Sequence, residues 1–276
     1  MRQAKGPFAI VEVRLLCWAL LGALAVLAMS GIGPPYQRAY ASANWQKLSQ
    51  AELTVIWWQW LYSIPASQSP AIDHTGQNAK NAQPYSDLLF LVGTLTSTDL
   101  PNGNVLSSET RSISVKQGTA LFFPLLNDEF DNVCARPSLG GNCFEMMPFP
   151  NNLGVPQLQA MAAVPIDSVT DLRVTLTPTD QNFNQNGPPV PLVYTRLPSP
   201  HSFPYKLPAT DNLPQSQGIN IRGTVAPAVG HGYYSLVPLG TLSLEQGYYK
   251  LNFGGKAPLT GGNFILDITY DITVTP

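Results

Sequence analysis

The chain closes on FILDITYDITV, residues 264–274. Leu266, Ile268, Tyr270 and Ile272 alternate there with Ile265, Asp267, Thr269 and Asp271. A period of two puts one set on each face of a strand, with the apolar set against a core. Other segments follow the same rule. VTDLRVTLTP alternates Leu172, Val174 and Leu176, and DLLFLVGTL (Asp87–Leu95) reads as a buried strand. RSISVKQGTALFFPLL reads as strand, turn at Gln117–Gly118, strand. GYYSL (232–236) and GYYKL (247–251) repeat one pattern at an offset of 15 residues, which fits two strands and a connection. Short strands with frequent turn signals predict a mainly β protein. The expected architecture is a two-sheet antiparallel sandwich, jelly-roll or immunoglobulin-like.

One stretch breaks the pattern. SQAE, Ser49–Glu52, is a capping box that opens a helix. The helix is predicted over residues 50–62, ended by Pro65. Leu53, Ile56, Trp57, Trp60 and Leu61 hold the spacing of an amphipathic helix packed on the sandwich. Trp58 falls on the other side with Val55 and Tyr62. A second apolar side needs cover, so Trp58 is expected to face a ligand or partner.

The start of the chain has its own logic. Arg2, Lys5 and Arg14 precede an unbroken apolar run from Leu15 to Met29, and Ala39, Ala41 and Ala43 follow. This predicts a signal peptide over residues 1–41, cleaved near Ala41 or Ala43, and a periplasmic or secreted protein. The 15-residue run is short of the roughly 20 residues of a spanning helix. If it is retained, the chain is instead a membrane-held subunit of a larger assembly. The whole chain has 15 basic and 17 acidic side chains. Removing residues 1–43 takes Arg2, Lys5, Arg14, Arg38 and Glu12, leaving 11 against 16, a net charge of −5 in place of −2. That excludes nucleic acid as an expected partner, because a polyanion needs a basic face.

Residues 44–276 are expected to form a single sandwich domain. Cys134 and Cys143, in CARPSLGGNC, are expected to form a disulfide across a short loop. The proline-dense segment 187–214 carries Val190, Leu192, Val193, Tyr194, Phe203, Tyr205 and Leu207. It is too apolar for a solvated linker and reads as an ordered loop over the sandwich.

Three sets of residues could carry function. NDEFDN gathers Asp128, Glu129 and Asp131 within four residues. Clustered carboxylate and amide oxygens are the chemistry of a calcium site, although the EF-hand spacing is missing. The same residues also read as an acidic, solvated loop. His74, His201 and His231 would bind zinc or copper only if they converged, and nothing in their spacing requires it. Tyr233, Tyr234, Tyr248 and Tyr249 could offer a stacking platform for a sugar from two neighbouring strands, or pack ordinarily. No G-x-S-x-G, S-x-x-K or H-E-x-x-H occurs.

Taken together, WWQW…SIP, DHTG, LVGTL, GTALFFPLLN, GHGYYSLVPL and the final ITYDITV resemble a group of exported bacterial proteins of uncharacterised function. The resemblance covers most of residues 44–276. It implies export and a sandwich fold, and it supplies no activity. In that group a cysteine follows D-x-T-G and another precedes F-F-P. Ala79 and Ile113 stand in those places here, as if one disulfide were lost. The expected function is a non-catalytic binding or structural protein of the cell envelope, with a glycan or a protein as ligand. The alternative is an extracytoplasmic metal-dependent enzyme using Asp128, Glu129, Asp131 and histidines.

Overall fold

A computed structural model describes residues 44–132, 153–237, 245–259 and 261–276. The apolar run 15–29, both cleavage positions, Cys134 and Cys143 lie outside them. Contacts gather Pro35–Pro276 into one unit.

The protein is mainly β, built on two sheets. Its strands are β1 (Leu88–Phe90), β2 (Thr98–Asp99), β3 (Val105–Lys116), β4 (Ala120–Asp131), β5 (Thr170–Thr179) and β6 (Val190–Pro191), followed by β7 (Thr195–Pro198), β8 (Phe203–Leu207), β9 (Gly223–Val237), β10 (Gly247–Leu259) and β11 (Gly262–Thr275). The six-stranded sheet runs β2-β3-β11-β10-β5-β6. The five-stranded sheet runs β1-β4-β9-β7, with β8 also paired to β9. The expectation of purely antiparallel sheets is overturned. β3 runs parallel to β11 from Val105↔Phe264 to Lys116↔Thr275, and β1 runs parallel to β4. The turn after β3 is present, with Gly118 at φ +83°. It joins strands of different sheets rather than a hairpin pair, because β3 takes β11 as its partner.

The alternation at the C-terminus holds. Leu266, Ile268, Tyr270, Ile272 and Val274 of β11 are buried, while Asp267, Thr269 and Asp271 are half-buried on the opposite face. The inner set meets Val174, Leu176, Leu251 and Phe253 of its own sheet and Leu121, Phe123 and Leu125 of the other. Phe123 and Phe253 meet at 4.6 Å between ring centroids. The five-stranded sheet is covered on its second face too. Phe90, Phe122, Ala228 and Tyr234 pack there against the helix α1 (Gln50–Ser63). It is therefore a middle layer, which explains why ALFFPLL reads as a continuous apolar run.

The Ser49 and Glu52 capping box forms as the sequence predicts. Yet every residue from Leu53 to Leu61 is buried, Thr54 and Gln59 included. A helix apolar all round belongs inside a protein, and this one does not have the exposed polar face of an amphipathic surface helix. Three of its buried side-chain donors find carbonyls, while Trp58 Nε1 and Gln59 Oε1 do not find partners among the described residues. Trp57 Nε1 donates to Leu91 O (2.9 Å), Trp60 Nε1 to Asn81 O (3.0 Å) and Gln59 Nε2 to Pro204 O (2.7 Å).

The segment 87–95 is strand only over Leu88–Phe90. Beyond it, side chains replace the ladder. The Leu91 carbonyl accepts from Trp57, and those of Val92 and Gly93 accept from Arg111. Arg111 is itself buried on the inner face of β3. Its Nε donates to Asp73 O (2.6 Å), and its Nη1 donates to the Tyr270 hydroxyl (3.0 Å). The DHTG turn is thereby pinned to the sheet: Asp73 accepts from Thr75 and Asn78 amides, and Ser112 N donates to Thr75 O. These amides hold the Asp73 carboxyl below its usual range against the opposing effect of burial. The proline-dense segment is ordered and carries β6, β7, β8 and a short helix α3 (Leu213–Ser216). It passes from the edge of one sheet to the other. A further helix, α2 (Val155–Asp167), packs Leu158 and Ala162 on Val229.

Candidate functional site

The NDEFDN carboxylates lie on β4, not in a loop. What aims them is an irregularity. Opposite β9, Pro124 pairs with Tyr234 and Leu126 with Tyr233, which leaves Leu125 as an extra residue. A bulge of this kind reverses the side-chain alternation beyond it. Before it, even-numbered Phe122 faces α1; after it, odd-numbered Asn127, Glu129 and Asp131 do. Asn127 Nδ2 donates to the Tyr234 hydroxyl (3.3 Å). Tyr62 of α1 donates to Glu129 Oε2 (3.1 Å), and Tyr205 of β8 donates to Asp131 Oδ2 (2.5 Å). Asp128 and Phe130 point the other way, and Phe130 packs beside α2.

Aromatic rings close over the carboxyls. Tyr62 and Tyr205 stack at 4.3 Å, and Trp58 stacks on Tyr62 at 5.4 Å. Trp58 is only 8% exposed. The expected ligand-facing side of α1 is thus covered by β8 and β9 of the chain itself. Gly230, directly opposite Glu129 on β9, makes room for it: a Cβ there would stand 2.6 Å from Trp58 Nε1.

Withdrawal from water sets the electrostatics. Burial pushes the Glu129 carboxyl well above the usual carboxylate range. The charge of Asp131 adds to this, and the Tyr62 hydroxyl works against it. Burial raises Asp128 to about 6. Tyr62 and Tyr205 are raised by burial first and then by the neighbouring carboxylates. Tyr234 is raised by burial, with Asn127 and Trp58 pulling the other way. The Tyr62 and Tyr205 hydroxyls tie α1 and β8 to the carboxyls of β4.

The other candidates are dispersed. His74 Nδ1 meets Glu109 at 2.5 Å, and His201 is exposed with Nδ1 at 3.0 Å from Ser202 O. His231 Nε2 accepts from Arg196 Nε (3.0 Å), and Arg196 also pairs with Asp167. Burial, then Arg196, lowers the His231 pKa. Among the described residues no three His, Cys, Asp or Glu side chains are grouped to hold a metal ion. The tyrosine platform does not form. Tyr233 and Tyr234 belong to the five-stranded sheet, and Tyr248 and Tyr249 to the six-stranded one. Both faces of the former are covered, so Tyr234 is wholly buried against Phe122 (5.4 Å) and Tyr233 packs on the inter-sheet core. Tyr248 meets the edge of Phe183.

Tyr62 and Tyr205 were not singled out by sequence. The Pro124 in a buried strand was the available signal, since proline there marks a bulge. No family model, curated protein or solved structure matches this chain. Among the described residues no helix is long and apolar enough to cross a membrane.

Proposed function

We propose that this is an exported, non-catalytic protein that binds or supports a glycan or a protein partner in the cell envelope. The apolar run Leu15–Met29 and the alanines at 39, 41 and 43 support export. The observation that carries the non-catalytic reading is the closure of Trp58, Tyr62 and Tyr205 over the acidic stretch. One oxygen each of Glu129 and Asp131, Oε2 and Oδ2, accepts from the tyrosines that dock α1 and β8. Carboxyls so used serve the fold.

The test pairs localisation with binding. The protein is followed into periplasm and medium, then assayed for sedimentation with purified envelope and for binding on an array of glycans. Glu129→Gln should leave both unchanged in folded protein. Retention in the cytoplasm, or no binding by folded protein in either assay, refutes the proposal.

One observation favours a second reading. A carboxyl near 6, as at Asp128, is poised for acid–base chemistry. In the metal-dependent enzyme version of that reading, purified protein carries about one equivalent of calcium or zinc. That metal would be lost in Asp128→Asn.

A further inference from the structure

Near the start of α1 the surface opens into a cleft of about 510 Å³. That is within the range of small-molecule sites. Its walls come from residues 44–46, which form the turn before the helix, and from 83–87, which lead into β1. The second wall is held firmly. Gln83 Oε1 accepts from Phe90 N (2.9 Å), its Nε2 donates to Phe90 O and Ala79 O, and Asp87 O accepts from Ala120 N (2.9 Å). A wall fixed in advance costs little ordering on binding.

The lining chemistry is selective. Trp45 and Tyr85 contribute aromatic edges, and Gln46, Ser86 and Asp87 contribute exposed polar groups. No lysine or arginine is among the described lining residues, while Asp87 supplies a carboxylate. That combination disfavours phosphate, sulfate and carboxylate ligands. Amides, hydroxyls and a carboxylate beside aromatic edges suit a ligand made of hydroxyls.

We infer that the cleft between Trp45 and Asp87 binds a neutral, hydroxyl-rich ligand of sugar size. This rests on the proposed binding function and names its ligand class and place. Asp87 and Gln46 take ligand hydroxyls beside the Trp45 and Tyr85 rings.

Isothermal titration of the purified protein with chitotetraose, cellotetraose and maltotetraose tests it, with glucose 6-phosphate as the anionic control. The expected result is saturable binding of at least one neutral sugar and none of the phosphate. Asp87→Ala and Gln46→Ala are both surface changes, and each should weaken binding about tenfold at unchanged melting temperature. Binding that survives both variants puts the ligand elsewhere; it overturns the cleft and leaves the envelope-binding function standing. Equal binding of the phosphate overturns the ligand class. No heat with any sugar at millimolar concentration overturns the inference, and the sedimentation assay then decides separately whether the wider function also fails.

Discussion

Asp128 should make this protein more stable in mild acid than at neutral pH. Burial pushes its carboxyl up to about 6 in the folded protein, against the ordinary 3.8. The folded state thus holds this proton more tightly by about two pH units, worth about 3 kcal/mol. A raised folded pKa contributes stability that is complete below the unfolded value. It is lost as pH climbs through the folded one, so the window runs from about pH 4 to about pH 7. Glu129, also raised, acts in the same direction. Asp73, held low by its turn amides, acts in the opposite one. The clean quantity is therefore a difference. Urea unfolding followed by tryptophan fluorescence, on wild type and Asp128→Asn, isolates the one carboxyl. The variant should gain about 3 kcal/mol relative to wild type between pH 4 and pH 8. A difference that stays flat over that range refutes the burial argument.

Three more expectations follow from the packing. Trp58→Ala should cost about 3–5 kcal/mol in urea unfolding, as for any large core side chain, whereas a ligand-facing Trp58 would cost almost nothing. Gly230→Ala should cost about 1–3 kcal/mol by overpacking, and most of that cost should vanish in a Trp58→Ala background, read by a double-mutant cycle. Arg111→Ala strips the Asp73 and Gly93 carbonyls of this donor and leaves Val92 O only the Tyr270 hydroxyl, and should lower stability by about 3–5 kcal/mol in thermal and urea unfolding. Ala79 and Ile113 share one buried cluster. Cysteines at both positions should therefore oxidise to a disulfide closing about 35 residues and add about 3–4 kcal/mol, with thiol titration before and after reductant as the check.

What could be read in advance was whatever depended on local pattern. The β11 alternation, the inward Val174 and Leu176 and the Ser49–Glu52 cap are set by neighbours in sequence, and each took its expected form. What failed depended on distant layers. Trp58 looked like a second, open face because the covering strands come some 150 residues later. The two Tyr-Tyr pairs looked like neighbours because their spacing is short, yet the chain changes sheets between them. The acidic stretch looked like a loop because charge is rare in strands. Its direction was set by one extra residue after Pro124, and its partners were tyrosines from α1 and β8. Arg111 sat in the inward register with Ile113 and Val115 throughout. Only the carbonyls of irregular segments far away made that position tenable.

The parallel pairing of β3 with β11 also has a consequence in time. β11 lies between β3 and β10 in the interior of its sheet, yet it follows every other described strand in the chain. Val105 waits for Phe264 and Lys116 for Thr275, so the central ladder of the sheet closes across about 160 residues. Folds dominated by such distant pairings form slowly. A chain emerging from its N-terminus carries β3 with that edge open until residues 262–275 arrive. Stopping synthesis one strand early would leave two long unpaired edges facing each other, ready to recruit a strand from another copy.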